Sequence, residues 1–218
     1  MIQLILNSII ILIVCCVSIG DARDHCINNY GDYVKKYSVR YFGVDFPYWY
    51  SLGVLKTESN CVWIRSKDGH GSIGVAQITP KWWDEELIRV GYADYAINPV
   101  AHIGAFKYML FRVYENVTEI CRVPTNTKKL WITYQGHNRS IGKLNREVRQ
   151  ATVCLYDVWR VYCKERDVCV WRLSDGSCRQ WRNGCDINSS YSKKVYDYGR
   201  GYKRYLGIDS DEVRYEFW

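Results

Sequence analysis

Glu58, followed by Ser59 and Asn60, and Gln77, nineteen residues further on in the run Gly71-Ser72-Ile73-Gly74-Val75-Ala76-Gln77-Ile78, are residues whose types and spacing can do chemistry together. A carboxyl donates a proton near neutral pH only where its ionised form is disfavoured. The residues before Glu58 supply such a place. Pro47 stands where a first-turn proline is tolerated, and Trp49, Leu52 and Leu55 recur every three residues, which predicts a helix with an apolar stripe. One more step of three reaches Glu58. The stripe thus delivers the carboxyl to the border of the core, where partial desolvation raises its pKa. Gly71 and Gly74 permit a bent strand close to a ligand, and Gln77 offers both a donor and an acceptor amide. A lone acid at a helix end facing such a strand suits acid-assisted cleavage of a sugar linkage.

The elements that must hold these residues read as helices joined by short loops. Asn98-Pro99 is a cap followed by a first-turn proline, and Ile103, Phe106, Leu110 and Val113 then recur at helical spacing, with Gly104 permitting close packing. Thr125 to Thr127 cap a further helical stretch holding Leu130, Trp131 and Tyr134. From Ser140, the series Leu144, Val148, Ala151, Leu155, Val158 and Tyr162 predicts a long helix at the back of an all-helical domain. Beyond Cys163 the character changes. Cys163, Cys169, Cys178 and Cys185 fall close together with Trp171, Trp181 and the turn signals Ser174-Asp175-Gly176 and Asn183-Gly184, which predicts a small stapled subdomain. From Ser189 onward tyrosines alternate with cations, as at Tyr191, Lys193, Lys194, Tyr196, Tyr198, Arg200 and Tyr202. These rings either pack back onto the helices or stack on sugar faces.

In order and spacing, Glu58-Ser59, Gly71 to Ile78, Asn98-Pro99 and Tyr134-Gln135-Gly136 resemble the lytic transglycosylase domain, whose lysozyme-like fold is shared with goose-type lysozymes. The resemblance covers roughly residues 41 to 150. The chain departs from the family's usual wording at Val75 and Ala76, for Leu-Met, and at Gln135, for Asn. The resemblance implies a mainly α, lysozyme-like helical domain, here with a small disulfide-stapled C-terminal extension. It also implies cleavage of the MurNAc to GlcNAc linkage of peptidoglycan, with Glu58 as the acid and Ser59, Ser72, Gln77, Tyr134 and Gln135 supporting or lining the substrate site. Tyr134 would lie beside the acid, unless it is a core tyrosine, and one of Trp82, Trp83 and Tyr92 would form a wall of the cleft. Neither metal nor organic cofactor is implied.

Two reactions remain open. A lytic transglycosylase needs no second carboxylate, because the muramic 6-hydroxyl closes a 1,6-anhydro ring, whereas a hydrolase must activate water. Asp68 stands where goose-type lysozymes carry an aspartate, but Lys67-Asp68-Gly69 is also a good turn, and their further acid is Thr79 here. The residue spacing favours non-hydrolytic cleavage. A reading of another class is a wall-binding protein that keeps the fold without catalysis.

Composition bounds these readings. A chain of 218 residues, 48% hydrophobic and 15% aromatic, holds one sizeable domain and a small appendage. Its net charge of +7 is concentrated: residues 122 to 185 carry thirteen Lys and Arg against five acids, which suits an anionic polymer such as wall glycan or provides a solubilising face. No nucleic-acid module is recognisable. Met1 to Val17 is almost wholly apolar, short of the ~20 residues of a comfortable membrane span, and small residues at Ser18-Ile19-Gly20 follow, which predicts a signal peptide over residues 1–20. A retained anchor, as in phage endolysins with a signal-arrest segment, is the alternative. Of ten cysteines, Cys15 and Cys16 would leave with the signal, and the eight that remain predict four disulfides in a secreted or periplasmic chain. The expected organisation is a catalytic domain over 26–162 and a Cys- and aromatic-rich extension over 163–218, acting as a monomer on peptidoglycan strands.

Overall fold

In the computed structural model, residues 25–66, 71–120, 126–138 and 166–209 are described. The predicted signal segment, Asp68, the predicted helix from Ser140 to Tyr162 and three of the cysteines, Cys121, Cys154 and Cys163, lie outside them. The protein is mainly helical, with a small two-stranded sheet. Its first helix, α1, runs through residues 25–42. It is followed by α2 (Trp49–Ser59), α3 (Pro80–Arg89), α4 (Pro99–Ile120), α5 (Asn126–Asn138), β1 (Asp167–Arg172), β2 (Cys178–Asn183) and α6 (Gly184–Tyr205).

Helix α2 begins two residues beyond Pro47 and is buried on more than the expected stripe, because Trp49 to Leu55 are buried without a break. The second face is covered by α6. Their closeness is set by two glycines: a Cβ on Gly53 would lie 2.4 Å from the Val195 carbonyl oxygen, and one on Gly199 would lie 2.2 Å from Tyr50 Cδ1. Helix α5 joins the same junction, where Trp131 stands edge-on to Tyr50 at 4.9 Å and to Tyr196 at 5.5 Å. The predicted capping of α4 is present, with Asn98 Oδ1 accepting from the Val100 and Ala101 amides. Ile103, Phe106, Leu110 and Val113 are buried along it. A Cβ on Gly104 would meet Tyr92 at 2.4 Å, so that glycine does permit close packing.

The core also encloses a lysine amine. Lys107 of α4 is fully buried, donates to Ser51 Oγ at 2.7 Å, and lies over the rings of Phe42 and Phe46 at 4.8 and 4.3 Å. Burial holds its amine well below the ordinary lysine range.

The stapled segment is an antiparallel hairpin. Cys169 and Cys178 are bonded across it, and its turn is closed by Asp175 Oδ1 accepting from the Ser177 amide at 2.8 Å. Asn183 ends β2 and caps α6 by accepting from the Cys185 amide at 2.9 Å. Of the C-terminal aromatic residues, Tyr191 and Tyr202 are buried and Tyr196 packs on the core, whereas Tyr198 and Tyr205 are exposed. Packing back therefore accounts for the first three.

Candidate active site

Glu58 lies in the last turn of α2, which stops immediately afterwards because Asn60 and Cys61 take left-handed backbone conformations. The Asn60 amide donates to the Lys56 carbonyl and the Cys61 amide to the Leu55 carbonyl, satisfying acceptors the helix end would otherwise leave open. Cys61 is then bonded to Cys26 of α1, which fixes this end of α2 from outside. The Ser59 hydroxyl fixes it from within, reaching the Val75 carbonyl at 2.8 Å and the Leu55 carbonyl at 3.2 Å.

The segment after it is a tight loop and not the expected glycine-bent strand. Ile73 and Ile78 exchange both backbone hydrogen bonds, at 2.8 and 2.9 Å, and isolated bridges join Ile73 to Arg65 and Ile78. Two positive-φ residues, Gly74 and Gln77, turn the chain between them, leaving too few extended residues for a strand. At Gly74 a side chain is also sterically barred, since a Cβ would fall 2.4 Å from the His102 ring. His102 is the internal post of this loop. Its Nδ1 lies 3.0 Å from the Tyr95 carbonyl and its Nε2 accepts from the Ala76 amide at 3.2 Å, which together require the neutral ring with its proton on Nδ1. Burial pushes its pKa down to about 4, in keeping with that form.

The Glu58 carboxyl is only partly covered, with 17% of its side chain exposed. Its Oε1 accepts a short hydrogen bond from the Tyr191 hydroxyl of α6, and His137 Nε2 of α5 lies 3.9 Å from the same oxygen. Burial raises its pKa from 4.5 to about 7, while the Tyr191 bond pulls the other way. The negative end of the α2 dipole also disfavours a charge there. His137 is 5% exposed, and burial pushes its pKa down to about 4. The contact therefore joins a neutral imidazole to a carboxyl and is not an ion pair. With Oε1 accepting from Tyr191, the carboxyl proton belongs on Oε2, which has no partner among the described residues. This is a proton donor held through one oxygen and partly exposed.

The remaining predicted residues fall into two groups. Ser59, Ser72 and Gln77 shape the loop. Ser72 Oγ is 2.8 Å from Thr79 Oγ1, and Gln77 Nε2 donates to the Gly74 carbonyl at 2.7 Å and the Ile64 carbonyl at 3.2 Å. Gln77 thus spends its amide donor within the loop. Tyr134 and Gln135 are buried in α5, with the Tyr134 hydroxyl 3.4 Å from Ser51 Oγ. Tyr134 lies near enough to Tyr191 to help hold that phenol protonated, after burial and the Glu58 carboxylate. Asp68 lies outside the described residues. Of the three wall candidates, Tyr92 is a core residue whose hydroxyl meets that of Tyr41 at 2.5 Å, Trp83 is half-buried, and Trp82 is 68% exposed.

Tyr191 and His137 were not expected at the acid. Tyr191 stands 133 residues from Glu58 in a segment whose aromatic residues look alike, and His137 was one of four scattered histidines. The weak signal in the sequence was the position of His137, directly after Tyr134-Gln135-Gly136. No family model, no curated protein and no solved structure matches the chain.

Proposed function

We propose that the protein is a peptidoglycan-cleaving muramidase in which Glu58 is the general acid at the MurNAc to GlcNAc bond, acting as a lytic transglycosylase. The observation that carries the reading is the Glu58 carboxyl itself: partly exposed, with a pKa raised to about 7, and gripped, among the described residues, through Oε1 alone. A group so placed is protonated in a useful fraction at neutral pH and can release that proton. The proton on Oε2 passes to the glycosidic oxygen as the bond from C1 to that oxygen breaks, leaving an oxocarbenium-like centre on the muramic residue. The Tyr191 hydroxyl then stabilises the carboxylate that forms. The muramic 6-hydroxyl attacks C1 and its proton returns to Glu58, so the acid is regenerated without water being consumed. The export expected from the signal segment and the paired cysteines would bring the protein to its polymer.

Mass spectrometry of digested peptidoglycan tests both parts of this reading. Transglycosylation yields 1,6-anhydro-MurNAc ends, one water lighter than the reducing ends of hydrolysis. Reducing ends together with an inactive Asp68→Asn would make the enzyme a hydrolase of the goose-type kind. Pelleting with walls that are neither cleared nor shortened would mark a binding protein instead.

A further inference from the structure

The hairpin of β1 and β2 has no part in the proposed chemistry, and most of its described side chains are exposed. Five of the fifteen large hydrophobic residues exposed among the described residues lie between 168 and 181: Val168, Val170, Trp171, Leu173 and Trp181. Trp171 and Trp181 are 52% and 60% exposed. The regular part of the register pairs Val168 with Arg182 and Cys169 with Trp181, successive positions along both strands, so Val168 and Trp181 leave the ribbon on opposite faces. The Arg179 guanidinium sits 4.4 Å above the Trp171 ring. Over residues 166 to 183 the chain has four arginines against two aspartates, and Asp175 is engaged by the turn.

Apolar side chains concentrated on one small element call for a partner. A rigid protein or a single glycan strand would meet one face of a ribbon and leave the apolar side chains of the other in water. Aliphatic residues such as Val168, Val170 and Leu173 also offer nothing for a sugar to stack on. A fluid medium that surrounds the ribbon suits both faces, and indole rings flanked by arginines match the border between headgroups and acyl chains. The positive balance selects negative headgroups. We propose that the Cys169–Cys178 hairpin is a membrane-docking element that inserts into the interface of an anionic lipid surface. It would hold the helical domain beside the bilayer independently of what Glu58 does.

The test is sedimentation of the oxidised protein with phosphatidylglycerol vesicles and with phosphatidylcholine vesicles at roughly 0.1 M salt, where charge attraction still acts over about 10 Å. Wild type should pellet with the anionic vesicles and much less with the neutral ones. Trp171→Ser with Trp181→Ser should weaken binding about tenfold or more with an unchanged melting temperature. Arg179→Ser with Arg182→Ser should remove the preference for phosphatidylglycerol. If the tryptophan pair lowers the melting temperature, the exposed arginine pair carries the comparison. Absence of wild-type binding to the anionic vesicles overturns the proposal. So does binding that neither pair changes, or hairpin-dependent pelleting with insoluble peptidoglycan and none with vesicles.

Discussion

Glu58 holds its proton at pH values where an ordinary carboxyl has lost it, and this has a consequence for stability as well as for catalysis. Its pKa is raised in the folded state, so between pH 4.5 and about 7 the folded protein binds more protons than the unfolded chain. The stability this contributes is present in full below pH 4.5 and is lost as pH rises through 7, by up to ~3 kcal/mol. Glu58→Gln lacks that dependence. It should be more stable than wild type at pH 8, with the difference vanishing near pH 4, as thermal melting at the two pH values would show. The same substitution should lower wall clearing by more than ~10²-fold. A variant that keeps a tenth of the activity would remove Glu58 from the mechanism. Tyr191→Phe takes away the hydrogen bond that opposes the shift. Its residual activity should therefore persist to higher pH than wild type, with the rate reduced about tenfold or more by loss of a bond to the carboxylate. An unmoved alkaline limb would show that the phenol does not tune the acid.

Helices α2 and α6 bring the acid and its phenol together only because their backbones nearly touch. The chain advances from Gly53 to Glu58 on α2 while the contacts retreat from Val195 to Tyr191 on α6, so the helices run antiparallel at this crossing. Gly53→Ala places a methyl group on a carbonyl oxygen that has no side-chain freedom with which to yield. A loss of at least about 1–3 kcal/mol is expected. Activity should fall further than stability, because the separation of the helices also separates Tyr191 from Glu58; urea denaturation and wall clearing on one preparation compare the two. Lys107 on α4 makes the opposite prediction. Among the described residues its amine is bound by Ser51 alone as an oxygen acceptor, and the rings of Phe42, Phe46 and Phe106 lie beside it. With a folded pKa depressed by burial, the unfolded chain binds the extra proton below pH 10.5, so stability rises with pH. Lys107→Met should raise the melting temperature, by at least ~1 kcal/mol in stability, and more at pH 6 than at pH 9.

At the scale of the whole molecule, the C-terminal helix is part of the core that carries Glu58. Asn138 of α5 bonds Asn188 of α6 at 2.7 Å, and the Tyr50, Trp131 and Tyr196 rings close the three-helix junction. Between described residues two disulfides are placed, one from α1 to the residue three beyond the acid and one across the hairpin, and Cys185 is disulfide-bonded as well. Replacing Cys26 and Cys61 by Ala opens a closure of 35 residues and should cost ~2–5 kcal/mol. Expression in a reducing cytosol should give largely unfolded protein, and protein made in an oxidising compartment should show no free thiol in denaturant. Several free thiols in folded protein would contradict this.

The class of fold, the caps at Asn98, the buried positions of α4 and the placing of Glu58 at a helix end were all legible in the sequence, because each depends on residues within a turn or two of one another. The hairpin was legible for the same reason, from its cysteines and the turn at Asp175-Gly176. The form of the Gly71 to Ile78 segment was not, since whether glycines bend a strand or close a loop depends on His102, which arrives from α4 to fill the space above Gly74. The burial of α2 on two faces was likewise hidden, for periodicity identifies one apolar face but not how many neighbours a helix will have. The partners of Glu58 were the least accessible. Residue type and local spacing can nominate an acid, but what raises its pKa is the water excluded around it, and what moderates the rise is the phenol aimed at it. Those come from α5 and α6, brought there by a crossing that two distant glycines allow.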